Sequence, residues 1–217
     1  MKKLIIFDLD GTLLDTLVDL KNAVNAALLH YNFPQKDIEH IRKSIGNGVN
    51  KLVARCLPDN EDNPLYIEVL EYFKKEYAKH ALDNTKPYEG IKDVLINLHK
   101  QGYKLAVCTN KVDEIAKYIV NKYFPNIFDY VQGDVPFLKK KPNKEMIYHI
   151  IDYFQLNKEN VLYIGDTNVD EETALNADID YILVNYGYRT VEELKEQCPN
   201  ACVSTMQDLV NKINEKR

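Results

Sequence analysis

Two carboxylates, Asp8 and Asp10, follow directly on four apolar residues, Leu4-Ile5-Ile6-Phe7, and are succeeded by Gly11 and Thr12. Four apolar residues in a row fit a short strand buried on both faces, as in parallel sheets. Alternation along an extended backbone points residues 8 and 10 to the same side, where like charges repel unless a positive group joins them. A hard, oxygen-seeking cation such as Mg²⁺ is the simplest candidate. Gly11 permits a tight bend, and Thr12 adds a hydroxyl. An Asp-x-Asp-Gly run also occurs in calcium loops and ordinary turns. Its place after a buried strand favours a site, because open α/β sheets bind ligands at the carboxyl ends of their strands.

Other chemistry-bearing residues stand at similar places. The strand pattern Tyr103–Cys108 ends at Thr109-Asn110, and Val161–Ile164 ends at Gly165-Asp166. Lys141 precedes a helix in the loop region between the third and fourth strands, although Lys139-Lys140-Lys141 also reads as a solvated basic patch. Asp170 follows Asp166 around a helix start, where negative charge is favourable in any case. Carboxylates, a hydroxyl, an amide and a lysine meeting at one sheet edge suit metal-assisted phosphoryl transfer.

The elements that must position these residues fall into two blocks. From about residue 16 to 86 every pattern is helical: Leu17–Tyr31, a stretch through Ile38, Ile41 and Ile45, a third through Val49 to Cys56, and Leu65–Ala81. Asp15 or Thr16 can cap the first. From Pro87 onward strands and helices alternate, with helices 91–101, 112–123, one after Pro142, and 169–177, and strands near Tyr130-Val131 and at Tyr181–Val184. Such alternation implies a parallel sheet with helices on both faces. The expected class is α/β, a Rossmann-like core formed by residues 1–15 and 87–217, with residues 16–86 inserted as an all-helical cap domain, a lid in form.

Composition excludes several classes. A formal charge of −5 gives no basic footprint for nucleic acid. No apolar run approaches the ~20 residues of a membrane span, and the run after Met1-Lys2-Lys3 stops at Asp8, too short for a signal-peptide core. Cys56, Cys108, Cys198 and Cys202 form no CxxC pair, which fits a reducing, cytoplasmic setting.

Asp8-Leu9-Asp10-Gly11-Thr12, Thr109-Asn110, Lys141-Pro142 and Gly165-Asp166-Thr167-x-x-Asp170 resemble the four ordered motifs of the haloacid dehalogenase superfamily of phosphohydrolases. The resemblance covers the whole chain, including a helical cap after the first motif. It implies that Asp8 is the nucleophile, Asp10 the general acid and base, and Lys141 the group that neutralises nucleophile and phosphate. It also implies that Thr109 and Asn110 hold phosphoryl oxygens. Asp166 would ligate Mg²⁺ with Asp8 and the backbone carbonyl of Asp10, and Asp170 would support from near the ion. One departure is visible: Lys144-Glu145 follows Asn143, where many members carry a second proline.

Within the superfamily, Ile45-Gly46-Asn47-Gly48-Val49 with Lys51 resembles the cap loop of phosphoglycolate phosphatases, and so do Lys86–Gly90 and Tyr186-Gly187-Tyr188-Arg189. That likeness implies 2-phosphoglycolate as substrate, with Gly46, Asn47, Gly48, Lys51 and Arg189 as candidate specificity residues. A plain helix–helix turn explains the glycines equally well. Gly165-Asp166 stands where sugar-phosphate mutases carry Glu-Asp. Pyrophosphatase, nucleotidase or sugar-phosphate phosphatase activity stays open, because the motifs do not encode the leaving group. A phospho-receiver module also uses clustered acids, a Thr and a Lys, but is about half as long and lacks the insertion. The expected partner is a small phosphorylated metabolite, with no nucleic acid or membrane, and the chain is expected as a monomer or homodimer.

Overall fold

The computed structural model describes residues 1–197 and 202–216. In chain order the strands are β1 (Leu4–Phe7), β2 (Leu14–Asp15), β3 (Lys86–Pro87), β4 (Lys104–Val112), β5 (Tyr130–Asp134), β6 (Val161–Gly165), β7 (Asp180–Val184) and β8 (Cys202–Val203). The helices are α1 (Leu17–His30), α2 (Ile38–Ser44), α3 (Val49–Cys56), α4 (Tyr66–His80), α5 (Ile91–Lys100), α6 (Asp113–Tyr123), α7 (Glu145–Phe154), α8 (Asn168–Ala177), α9 (Val191–Gln197) and α10 (Met206–Glu215). By compactness the chain forms two units, Met1–Leu14 with Pro87–Arg217, and Asp15–Lys86.

A strand with every side chain apolar must be covered on both faces and paired on both edges. β1 meets both demands: all four residues are buried, and β4 and β6 pair with it in parallel. The six-stranded sheet runs β5-β4-β1-β6-β7-β8. Phe7 is level with Val107 on one side and Ile164 on the other, so the residues that follow in all three strands emerge at one edge. This register is what collects the chemistry.

Period-two alternation divides the sheet residues between the faces. Leu4, Ile6, Ala106, Cys108, Val161 and Tyr163 pack with Met146, Ile147, Ile150 and Ile151 of α7 and Ala174 and Ala177 of α8. Phe7 belongs to the alternate set of β1 residues, and its ring meets the edge of Phe128 at 6.2 Å. Along α5 the buried residues are Ile91, Val94, Leu95 and Leu98, the i, i+3, i+4, i+7 spacing of a helix with one apolar face.

The helical unit has its own buried faces, Leu20, Val24, Ala27 and Leu28 on α1 and Val69, Leu70, Phe73 and Tyr77 on α4. A buried carboxylate fastens it: Asp19 on α1 accepts hydrogen bonds from the backbone N–H groups of Asn84 and Thr85, from the Asn84 amide and from the Thr85 hydroxyl.

Several local expectations change. Thr16 occupies the cap position of α1, but the side chain that bonds the helix start is Asp15, which accepts from Leu17 N at 3.2 Å. Lys86 lies in a two-residue strand rather than a helical stretch. β4 runs to Val112, past the expected end at Cys108, with its register to β5 shifting between Cys108 and Val112. β8 and α10 carry no signal that alternation picked out. Cys56 and Cys108 are buried thiols and Cys202 is half-buried; Cys198 lies outside the described residues. Among the described residues no helix is long and apolar enough to cross a membrane.

Candidate active site

The carboxyl ends of β1, β4 and β6 bring Asp8, Thr109, Asn110 and Asp166 to one place, and the loop before α7 delivers Lys141. The basic triplet divides by environment. Lys139 is exposed and pairs with Glu145, whereas Lys141 is 3% exposed. Its ammonium has three donors, and three acceptors surround it: Asp8 Oδ1 at 2.8 Å, Asp170 Oδ1 at 2.7 Å and the Tyr163 hydroxyl at 2.9 Å. Burial alone would strip the charge from such a lysine, but the two carboxylates reverse that and raise its pKa above the usual range. It is a fixed cation.

Asp170 is held as firmly. At the third position of α8 it reaches back to the start of its own helix, as an acid in a capping box does. Its Oδ2 accepts from the Thr167 hydroxyl at 2.7 Å and from the backbone N–H groups of Thr167 and Asp166. Burial opposes its charge, yet Lys141 and the Thr167 donors hold its pKa below the ordinary value. Asp166 has weaker support: Thr12 Oγ1 donates to one oxygen at 3.0 Å and Tyr188 N to the other at 2.8 Å. Burial, then the neighbouring Asp170 and Asp8, raise its pKa well above normal. Asp8 is lifted to about 7, first by burial, with Lys141 pulling against it and Asp170 adding to it.

Asp8, Asp166 and Asp170 each offer a carboxylate oxygen, all within 4.8 Å of one another. Asp10 lies close by and is paired with the buried Lys111. An all-oxygen donor set of this kind is what a hard cation prefers. Burial is the first cause of the raised pKa values of Asp8 and Asp166, with their acidic neighbours adding to it. The residues fit a metal.

Two glycines make the centre geometrically possible. A Cβ on Gly11, whose φ is +91°, would lie 2.3 Å from Asp166 Oδ2. A Cβ on Gly187 would meet Gly11 O at 2.3 Å and Asp166 Oδ2 at 2.5 Å, so only glycine lets the 186–189 segment close on the acids. From that segment the Tyr186 hydroxyl also donates to Thr12 O, and Arg189 is buried. Asn110 ties the lysine loop to β4, donating from Nδ2 to Lys141 O at 3.0 Å, while Thr109 Oγ1 accepts from Lys111 N.

Two participants escaped the sequence reading. Tyr163 sits mid-strand in an apolar run and looks like core; its hydroxyl bonds Lys141 and also Asp170 Oδ1 at 3.0 Å. Lys111 is buried and donates to both oxygens of Asp10, at 2.8 and 3.0 Å. The signal available for Lys111 was its place directly after Thr109-Asn110. The irregular register of β4 re-aims side chains there, as strand irregularities near sites often do. Of the remaining candidates, Gly46, Asn47, Gly48 and Lys51 belong to the helical unit. Gly46 and Gly48 have positive φ, Asn47 Oδ1 accepts from Arg55, and Lys51 pairs with Glu61 at 2.6 Å.

The model for haloacid dehalogenase-like hydrolases matches residues 5–184. The chain belongs to that family. Among curated relatives, the phosphoglycolate phosphatase of Aliivibrio fischeri is 33% identical over 205 residues, covering 91% of this chain and 90% of that one. The phosphoglycolate phosphatase of Aquifex aeolicus is 32% identical over 209 residues, covering 96% and 95%. A crystal structure from Lactobacillus delbrueckii, provisionally assigned as a phosphoglycolate phosphatase, superposes with a TM-score of 0.94 at 33% identity, covering 98% of this chain and 99% of that one. The chain is thus a hydrolase of the phosphatase kind, phosphoglycolate phosphatase-like, acting on a small phosphorylated substrate, and its buried aspartates are consistent with a metal site of the sort typical of this family.

Proposed function

We propose that the protein is a Mg²⁺-dependent phosphatase that hydrolyses 2-phosphoglycolate through an aspartyl-phosphate on Asp8. The observation that carries this reading is the Lys141 ammonium fixed between Asp8 and Asp170, with Asp166 the third carboxylate of the same buried cluster. The names of the relatives support the choice of substrate.

Asp8 attacks phosphorus, a P–O bond to Asp8 forms, and the bond to the leaving oxygen breaks while Asp10 supplies that oxygen with a proton. Water then attacks the same phosphorus, gives its proton to Asp10, and inorganic phosphate leaves with Asp8 restored. Lys141 balances charge on Asp8 and the phosphoryl oxygens throughout; Thr109 and Asn110 donate to those oxygens. Asp8, Asp166 and the Asp10 carbonyl would hold Mg²⁺, with Asp170 in support, and the ion would supply positive charge to offset that of the phosphoryl group. Phosphate-monoester hydrolysis is among the slowest uncatalysed reactions, with enzymatic accelerations of up to ~10²¹-fold, so preorganised charge of this kind is the main requirement. Substrate selection by the 16–86 unit through Gly46, Asn47, Gly48 and Lys51, together with Arg189 of the core, belongs to the same proposal, as does a cytoplasmic monomer or homodimer.

The test is phosphate release, with and without Mg²⁺, from 2-phosphoglycolate, sugar phosphates, nucleoside monophosphates and pyrophosphate. A Mg²⁺-dependent preference of tenfold or more for 2-phosphoglycolate, about 1.4 kcal/mol of discrimination, is the expected result. Equal rates across the panel would refute the substrate assignment and leave the chemistry standing.

A further inference from the structure

The helical unit turns from α2 to α3 through residues 45–48, where Gly46 and Gly48 have φ of +125° and +82°. One side chain holds this turn from within the same unit. Arg55, in the last turn of α3, donates from Nη1 to the Ser44 carbonyl and from Nη2 to Asn47 Oδ1, each at 2.8 Å. Its own carbonyl meets His40 Nε2 at 2.9 Å, a second tie between α2 and the same residue. A guanidinium can only donate, so the atom of the Asn47 amide that faces it is the oxygen. The NH2 of that amide is therefore turned away from Arg55. Asn47 is half-buried, and among the described residues its NH2 has no acceptor.

We propose that Arg55 is a positioning residue that fixes the Asn47 amide with its NH2 outward, and that this NH2 recognises a carboxylate on the leaving group. An amide torsion is broad and roughly two-fold, so an untethered Asn47 would offer its oxygen about as readily as its NH2. The oxygen repels a carboxylate and the NH2 binds it. Arg55 decides between the two, and its planar fork holds Ser44 O and Asn47 Oδ1 together in a way that a lysine does not match. A guanidinium bonded to the carbonyl end also polarises the amide and strengthens its NH2 as a donor. Gly46 and Gly48 flank Asn47 without side chains of their own to cover it. The phosphoryl group already has Lys141, Thr109 and Asn110, so the anion left for a donor on the helical unit is the carboxylate. This inference rests on the reading that the helical unit selects the substrate, and deepens its substrate assignment.

The experiment compares kcat/KM for 2-phosphoglycolate and for 2-hydroxyethyl phosphate, similar in size but without the carboxylate. The proteins are the wild type, Asn47→Asp, Asn47→Ala, Arg55→Met and the double variant Arg55→Met with Asn47→Ala. The wild type should prefer 2-phosphoglycolate by about tenfold or more. Asn47→Asp keeps an acceptor for Arg55 but turns an oxygen outward in place of the NH2, and should cut that ratio by about tenfold or more, the loss lying in KM. Arg55→Met should cut it by about threefold or more, and should cut it no further once Asn47 is alanine, because Arg55 acts through the amide. Asn47→Asp tests the idea even if Arg55→Met disturbs folding, which circular dichroism would reveal. A ratio unchanged in folded Asn47→Asp overturns the proposal while leaving the substrate assignment intact. Equal losses on both esters in Arg55→Met, or a further fall of the ratio in the double variant, reduce Arg55 to a structural contact and also overturn it. No preference in the wild type removes the substrate assignment and this inference together.

Discussion

The two compact units hold their candidate residues in opposite physical states. In the α/β unit Asp8, Asp166, Asp170 and Lys141 are buried and bound to one another and to Thr12, Tyr163, Thr167 and Tyr188. In the helical unit Lys51 is 54% exposed and paired with Glu61. Buried charges are costly and must be satisfied, so each has a partner whose removal is felt; an exposed pair contributes little. The contrast teaches that the chemistry is built into the sheet edge, while the helical unit can vary its surface without disturbing it.

The strongest way to break this comparison is at the nucleophile. Asp8→Asn should lower kcat by about 10³-fold or more, as loss of a nucleophile does elsewhere, with the circular dichroism spectrum retained; substantial residual turnover would contradict the account. Lys141→Met should lower kcat by about 10²-fold or more. Tyr163→Phe, which removes one acceptor from the same ammonium, should lose roughly tenfold in kcat, the scale of one hydrogen bond to a charge, with little change in KM.

Stability sharpens the contrast from the other unit. Asp19→Ala leaves the Asn84 and Thr85 donors without their carboxylate and should cost about 2–3 kcal/mol in denaturant unfolding, with kcat of the folded protein maintained. The acids of the sheet edge should show themselves through pH. Folded Asp8, lifted to about 7 mainly by burial, and Asp166, lifted by burial and its acidic neighbours, hold protons that the unfolded chain releases near pH ~4. The folded state therefore binds more protons, and the stability of the metal-free protein declines as pH rises from about 4 through 7. Asp170, held low, acts in the opposite sense and loses its contribution only in acid. Mg²⁺ should accordingly raise the melting temperature more at pH 8 than at pH 5. The smallest effect belongs to Lys51→Ala, which should raise KM for 2-phosphoglycolate by about two- to fivefold at constant kcat, the range of an exposed ion pair.

How much was legible in the sequence follows the same division. Apolar runs that stop at acids mark strand ends, so Asp8 and Asp166 could be placed from the pattern, whereas Thr109-Asn110, expected just past a strand, fall inside β4. Lys141 stood out only by its loop and the proline after it, because two neighbouring lysines share its type and not its burial. Tyr163 was hidden by its apolar neighbours: periodicity reports which face a residue takes, not what its hydroxyl meets. Lys111 was hidden by the irregular end of β4, where strict alternation fails. The roles of Gly11 and Gly187 depend on close packing between segments far apart in sequence, where an added Cβ would lie only 2.3 Å from a neighbouring atom, and no local pattern encodes that.

The central claim, that Asp8 forms the covalent intermediate, is tested most directly by acid-quenching a single turnover of 2-phosphoglycolate with Mg²⁺ and mapping the phosphoryl group by peptide mass spectrometry. The account predicts one added phosphoryl group on the peptide containing Asp8, absent in Asp8→Asn. Phosphate release by the wild type with no phosphorylated peptide at any quench time, together with turnover by Asp8→Asn, would contradict it.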